Sequence, residues 1–183
     1  MIIIGDVHGK SDQYLRLLTG ESHSIQLGDL GFDYTYLQSI PLTHRFLKGN
    51  HDNYSITDPH ELGDFGVHEG IFFVRGAASI DKHTRIWGVD WFEEEELSYT
   101  SFLKATELII KEKPSIVVSH DCPQIVCESI WGYESSATRN GLDALFMGHQ
   151  PDLWLFGHHH KSIDTTINGT RFICLAELES YHL

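Results

Sequence analysis

Three consecutive histidines, His158–His160, follow an apolar run in the stretch LWLFGHHHKS. Imidazole nitrogens bind divalent metal ions, so these histidines could belong to a metal site. Taken alone, a histidine run of this kind is better explained as a solvated loop. The choice depends on whether other ligand-type residues occur in similar settings along the chain.

Further polar fragments of this kind follow other apolar runs. They are Gly5-Asp6-Val7-His8-Gly9, Gly28-Asp29, Gly49-Asn50-His51-Asp52 and Ser119-His120-Asp121. Each fragment alone has an ordinary explanation, such as a surface turn, an Asx-type turn or a satisfied core histidine. Their occurrence in order, each after a predicted strand, favours a single shared site. In open α/β sheets, ligands bind outside the carboxyl ends of the strands.

The residue types in these fragments match the needs of two divalent cations. Such a pair requires oxygen and nitrogen donors, and one carboxylate that bridges ions about 3.5–4 Å apart. Asp29 is the natural bridging carboxylate, and Asp6 and His8 are close enough in sequence to reach one ion. The candidate metal ligands are Asp6, His8, Asp29, Asn50, His120, His158 and His160. Because no cysteine is among them, a soft-metal site is disfavoured, and Mn, Fe or Zn would suit the donors equally.

Short β-branched runs alternate with helical patterns along the chain. The predicted strands cover residues 1–4, 23–27, 44–49, 115–119 and 153–157, with short strands in 71–91 and a hairpin in 164–176. The predicted helices cover 10–20, 99–113 and 138–150, with an interruption of the last at Gly141. The Asn168-Gly169 dipeptide predicts the turn of the hairpin. These elements fit one α/β domain over residues 1–183.

Composition narrows the class of protein. Hydrophobic residues make up 41% of the chain, which is enough for a buried core, and the formal net charge is −13. This charge and the lack of a basic run disfavour stable binding to nucleic acid. The three cysteines form no disulfide framework, and no apolar run is long enough for a signal peptide or a membrane span. We therefore expect a cytoplasmic protein with no membrane association.

The ordered series of fragments resembles the calcineurin-like metallophosphatase (metallophosphoesterase) superfamily from Gly5 to His160. The resemblance implies a single-domain α/β fold, with a β-sandwich flanked by helices in four layers (αββα). It also implies a site in which one ion binds Asp6, His8, Asp29 and His160, and the other binds Asp29, Asn50, His120 and His158. By the same resemblance His51 is a catalytic residue near the leaving group. The resemblance assigns no role to His159, for which we expect a partly exposed position outside the ligand set.

The second and third fragments depart from the pattern of the protein Ser/Thr phosphatases in this superfamily. Those enzymes continue the second fragment as Gly-Asp-x-x-Asp-Arg, whereas this chain reads GDLGFDY, with Phe32 at the acidic position and Asp33 one residue later. The departure disfavours activity on phosphoproteins and favours the small phosphoesterases of bacteria and phages. It also leaves two candidates, Asp33 and Asp52, for the acid that orients His51. Asp52 is therefore a second candidate catalytic residue.

The leading hypothesis is a metal-dependent phosphoric ester hydrolase. It would cleave phosphomonoesters or phosphodiesters of small phosphorylated substrates with a hydroxide that bridges two divalent ions. The alternatives are a nuclease of the same superfamily and a catalytically silent metal-binding scaffold. The sequence leaves open the metal, the preferred ester and the oligomeric state.

Two other features have competing explanations. The stretch Trp91–Ser98 (WFEEEELS) could stabilise the start of the helix that follows it, or it could form a groove wall that selects the substrate. Acidic runs are usually solvated surface, which favours the first explanation. Arg75 and Arg85 could contact a phosphate, although ion pairs on strand faces are the default for such residues.

Overall fold

The chain forms strands that make two sheets. The strands are β1 Ile2–Ile4, β2 Ser24–Gln26, β3 His44–Phe46, β4 Phe65–His68, β5 Ile71–Val74, β6 Ile116–Ser119, β7 Leu153–Phe156, β8 Ile163–Ile167, β9 Thr170–Cys174 and β10 Ser180–His182. In this computed structural model, which describes residues 1–183, one sheet has the order β10-β1-β2-β3. The other has the order β4-β5-β6-β7-β9-β8.

The helices lie between strands in the sequence. They are α1 Ser11–Leu17, α2 Tyr99–Glu112, α3 Gln124–Trp131 and α4 Ala137–Gly148. The Ser98 hydroxyl accepts a hydrogen bond from the Ser101 N–H at 3.1 Å, and Ser136 caps α4 in the same way. None of these helices combines the length and the apolar composition needed to cross a bilayer.

Apolar side chains pack in three layers, which gives the order helix, sheet, sheet, helices. Ile2 and Ile4 face the α1 side, where Tyr14 lies, whereas Ile3 between them faces the other sheet. On the outer face of the larger sheet, Trp154 packs against Phe146 of α4. The predicted α/β fold, a β-sandwich flanked by helices, is confirmed.

Parallel pairing places the functional loops at strand ends. Strands β1, β2 and β3 run parallel in the smaller sheet, and β5, β6, β7 and β9 run parallel in the larger one. The carboxyl ends of parallel strands meet at the same edge of a sheet. The loops after β1, β2, β3, β6 and β7 carry all the predicted ligands.

Several element predictions are confirmed and others are wrong. The β8–β9 hairpin turns at Asn168 and Gly169, which have φ values of 51° and 88° as the tight turn requires. Helix α4 is continuous through Gly141, so the predicted interruption is wrong. A Cβ at Gly141 would lie 2.4 Å from the Phe102 ring, so this glycine allows close packing against α2. Of the short strands predicted in 71–91, β5 forms, and an isolated bridge joins Trp87 to Trp91.

The stretch Trp91–Ser98 does not start α2 in the predicted way. Glu93–Glu95 form a separate 3₁₀ turn. Glu96 accepts hydrogen bonds from the backbone N–H and the hydroxyl of Thr138 at 2.8 and 3.1 Å, so it stabilises the first turn of α4. The expectation that these glutamates support the start of α2 is therefore wrong.

Candidate metal centre

The loops that carry the predicted ligands adopt unusual backbone conformations. His8, Asp29, His158 and His160 have φ values of 49°, 56°, 66° and 52°. A left-handed conformation costs a residue with a side chain roughly 1–2 kcal/mol, and such strain concentrates at functional sites. In these loops the strained backbone turns the side chains towards one another.

Glycines next to the ligands leave the space that the ligands need. A Cβ at Gly49 would lie 2.3 Å from Asp29 Oδ1 and 2.4 Å from His120 Nε2. A Cβ at Gly157 would lie 2.3 Å from Asp6 Oδ1. No side chain larger than a hydrogen atom fits at either position unless a ligand moves.

One group of donors brings together Asp6, His8, Asp29 and His160, with ligand atoms within 4.8 Å of one another. The Nε2 atoms of His8 and His160 are 2.8 Å apart, and His160 Nε2 is 2.9 Å from Asp6 Oδ2. That last contact lacks hydrogen-bond geometry, so the buried Asp6 Oδ2 has no hydrogen-bond partner. A buried carboxylate oxygen of this kind, among converging imidazoles, fits a metal ligand.

A second group brings together Asp29, His120 and His158, again within 4.8 Å. Asn50 joins it, since Asn50 Oδ1 is 3.2 Å from His120 Nε2. His120 Nδ1 lies 2.9 Å from the Leu27 carbonyl oxygen, to which it can donate. This bond selects the tautomer that leaves Nε2 free to bind a metal ion. Asp29 belongs to both groups, as the bridging assignment requires.

The buried surroundings shift the pKa values of two histidines in the site. Burial opposes a charge on His120, but Asp29 at 3.3 Å, together with Asp6, raises the pKa of His120 to about 10. Burial lowers the pKa of His158 to about 4. His120 therefore holds a proton near neutral pH, which a metal ion has to displace on binding. Oxygen and nitrogen donors in two groups around one carboxylate fit a pair of divalent cations.

The structure places the two candidate acids away from the His51 ring. Asp33 is exposed and accepts hydrogen bonds from the N–H and hydroxyl of Thr35 at 2.9 and 2.7 Å. Asp52 is buried and accepts from the backbone N–H groups of Asp29 and Gly49 at 2.8 and 2.7 Å. Asp52 therefore ties two ligand loops together, and we propose for it a positioning role instead of contact with the substrate.

The His51 ring instead contacts Arg85, a residue that the sequence left with a default role. Arg85 Nη2 lies 3.0 and 2.6 Å from the two ring nitrogens of His51. Its Nη1 donates to the Asn50 carbonyl at 2.9 Å, and Asp81 pairs with it at 2.8 Å. Arg75, by contrast, pairs with Asp64 at 2.6 Å and does not line the site.

Sequence reasoning missed a buried hydrogen-bond chain behind Asn50. The Asn50 Nδ2 lies 3.3 Å from the Ser79 hydroxyl, which donates to Glu95 Oε2 at 2.5 Å. Burial raises the pKa of Glu95 to about 7. The only sequence sign was an acidic residue in the stretch Trp91–Ser98, whose burial could not be read from the pattern.

His159 belongs to neither donor group around Asp29, and it lines the same open cavity as His158 and His160. Its Nε2 is 3.0 Å from Asp121 Oδ1, and its ring stacks on Trp131 with 4.0 Å between centroids. Asp121 also accepts from Arg139 Nε at 2.9 Å and is 4.0 Å from His158 Nε2. Asp121, which follows the candidate ligand His120 in the sequence, thus supports the loop that carries His158.

An open cavity of about 610 Å³ adjoins the ligands. Asp29, Asn50, His51, His158 and His160 line its inner end. Ile80, Asp81, Tyr133, Glu134 and Arg139 also line it. The volume is in the range of small-molecule sites.

Comparisons with solved structures reveal the same fold in distant proteins. TT1561 of Thermus thermophilus matches with a TM-score of 0.54 at 11% identity, covering 97% of this chain and 90% of that one. GAP50, the anchor in the inner membrane complex of Plasmodium, matches with a TM-score of 0.53 at 10% identity, covering 95% and 70%. The phosphopantetheinyl hydrolase of Mycobacterium tuberculosis matches with a TM-score of 0.49 at 13% identity, covering 96% of this chain and 89% of that one. The first two matches, whose TM-scores exceed 0.5, establish a shared fold alone at these identities.

A comparison with family profiles tests the resemblance drawn from the motifs. No curated protein matches the chain. The profile described as calcineurin-like phosphoesterase matches residues 1–162, a span that contains every candidate ligand. The chain belongs to the calcineurin-like phosphoesterase family.

Proposed function

We propose that the protein hydrolyses phosphoester bonds of small substrates with the help of two divalent metal ions. The observation that carries this proposal is the pair of donor groups that share Asp29. One ion would be held by Asp6, His8, Asp29 and His160, and the other by Asp29, Asn50, His120 and His158. Such ions, when bound, activate water and neutralise charge on a phosphoryl group.

The protein supplies a binding place for an anion within an acidic molecule. The formal net charge is −13, yet the carboxylates of Asp6 and Asp29 cancel only about half the charge of two dications. A compact phosphate is thus attracted locally, while the rest of the surface repels an extended polyanion. This combination favours small phosphoesters over nucleic acid.

We propose that His51 supplies the proton that the leaving group needs. Its backbone N–H donates to Asp29 Oδ1 at 2.7 Å, and its ring lies 5.3 Å from the His8 ring, beside the first donor group. It lines the cavity and belongs to neither donor group. We propose that a ring N–H of His51 protonates the departing oxygen of the substrate.

Metal removal and restoration tests the proposed function. Protein treated with EDTA is assayed on nitrophenyl and alkyl phosphomonoesters and phosphodiesters, and again after addition of Mn²⁺ or Zn²⁺. We expect no turnover without metal and turnover with it. No turnover on any ester would favour a silent metal-binding scaffold, and turnover that persists in EDTA would contradict the metal requirement.

Substitution of His51 tests its assigned role. An alkoxide is a poor leaving group that must be protonated, whereas a nitrophenolate leaves without help. We predict that His51→Ala keeps its metal, loses about 10²–10⁴-fold on alkyl esters and loses much less on nitrophenyl esters. Equal losses on both ester types would assign His51 to the phosphoryl group instead, and a loss of metal would make it a ligand.

A further inference from the structure

The cavity beside the donor groups has walls of distinct chemistry. Ile80 and Tyr133 are exposed large apolar residues, with 87% and 46% of their surface accessible, and both line the cavity. Tyr133 is backed by Trp131, which lies parallel to it at 5.9 Å between ring centroids. The cavity thus offers apolar and aromatic surface to a group larger than a phosphate.

The same walls carry one carboxylate that has no cationic partner. Glu134 is exposed and lines the cavity, whereas the carboxylate of Asp81, which also lines the cavity, is paired with Arg85. The two arginines closest to the site are already paired with carboxylates. Arg85 pairs with Asp81 at 2.8 Å, and Arg139 pairs with the buried Asp121 at 2.9 Å.

These surroundings distinguish between the two kinds of phosphoester. A monoester dianion has a third non-bridging oxygen, and this oxygen carries charge. A diester monoanion carries a second organic group in that position. Like charges across a partly enclosed site repel, whereas an organic group gains from apolar surface that it covers.

We propose that the enzyme prefers phosphodiesters, and that the second organic group of the substrate lies in the cavity between Ile80 and Tyr133. This inference rests on the proposed function. In the reaction, water oxygen bonds to phosphorus and the bond from phosphorus to the leaving oxygen breaks. The leaving oxygen departs with the electron pair and takes a proton from His51. The attacking water releases one proton to solvent, from which His51 regains its own, and the products are a phosphomonoester and an alcohol.

Three substrates that share one leaving group distinguish the effect of the extra charge on the monoester from the effect of contact between the second organic group and the cavity. They are p-nitrophenyl phosphate, methyl p-nitrophenyl phosphate and phenyl p-nitrophenyl phosphate, assayed with Mn²⁺. We expect kcat/KM to rise about tenfold from the monoester to the methyl diester, and to rise again for the phenyl diester. A higher kcat/KM for the monoester would overturn the preference while the phosphoesterase function stood. No turnover of any of the three would overturn both.

Variants of the cavity walls test the cause of the preference. Glu134→Gln should raise kcat/KM for the monoester several-fold and change the diesters less than twofold. Tyr133→Ala should raise KM for the phenyl diester several-fold, with little effect on the methyl diester. Glu107, exposed on α2 and outside the cavity, gives the matched control Glu107→Gln, which should change none of these values. If Glu134→Gln and Tyr133→Ala behave like this control, the assignment of the cavity is wrong.

Discussion

Asn50 shows how a single side chain is oriented for metal binding. The Ser79 hydroxyl donates its proton to Glu95, so towards Asn50 it can only accept. The Asn50 amide therefore turns its NH₂ group to Ser79 and its oxygen to the donor group of His120. Outer-shell contacts of this type fix the orientation of metal ligands and commonly contribute 10–100-fold in affinity.

We predict that Ser79→Ala weakens the binding of one ion by about tenfold and leaves the other ion unchanged. The amide of Asn50 loses the acceptor that orients it, while Asp6, His8 and His160 keep their contacts. A stepwise titration of metal-free protein with a competing indicator measures both affinities. Ser79→Thr, which keeps the hydroxyl, is the control. If both metal affinities are unchanged in Ser79→Ala, Ser79 does not orient Asn50 for metal binding.

At the scale of elements, the strand-to-loop junctions create the site. Each candidate ligand follows a short strand. Glycine is needed at Gly49 and Gly157, because a Cβ at either position would lie 2.3 Å from a carboxylate oxygen. The site therefore depends on close contact between loops from both sheets. The contact between Asp29, which follows β2, and His120, which follows β6, directly joins a loop of one sheet to a loop of the other.

The Gly157→Ala variant tests this dependence on close approach. The added Cβ would displace Asp6 Oδ1, so we expect binding of the ion held by Asp6 to weaken by about tenfold or more. Gly148→Ala is the control, because its Cβ would meet side-chain atoms and no candidate ligand: Ile110 at 3.0 Å and Thr106 at 3.5 Å. Metal binding and circular dichroism are measured for both. Wild-type affinity in Gly157→Ala would mean that the loop has more freedom than the structure gives it.

The predictability of the elements follows from their surroundings. Strand ends were predicted well where a buried run stops at glycine, as at Gly28 and Gly157, because the backbone signal and the apolar pattern agree. Residues 80–91 were predicted poorly because most of their large apolar side chains face solvent. Ile80 and Trp87 are 87% and 70% exposed, and an alternating pattern of solvent-facing residues mimics a strand.

The parts of the site that were missed depend on long-range packing. Glu95 is 2% exposed and reaches Asn50 through Ser79, yet its sequence neighbours Glu93 and Glu94 are exposed. No local pattern separates the one buried acid from the others. Arg85 was open to two explanations for the same reason, since its contact with His51 spans a separation of 34 residues.

At the scale of the whole molecule, a surface with a net charge of −13 surrounds the proposed anion-binding site. This arrangement selects substrates by size, because the surface repels a polyanion along its length while attraction is confined to the site. We predict that binding to single- or double-stranded DNA at physiological salt is weak, with Kd above about 10⁻⁵ M. Fluorescence anisotropy with labelled DNA measures this. Tight binding, or cleavage of long DNA at low enzyme concentration, would favour the nuclease alternative.

The sharing of Asp29 by two ions is the central feature of the proposed site. Its most direct test is the metal content of purified variants after equilibration with Mn²⁺. We predict two ions per chain in the wild-type protein, loss from mainly one position in Asn50→Ala, and loss from both positions in Asp29→Ala. Two ions per chain in Asp29→Ala would contradict the shared carboxylate and the dinuclear site built on it.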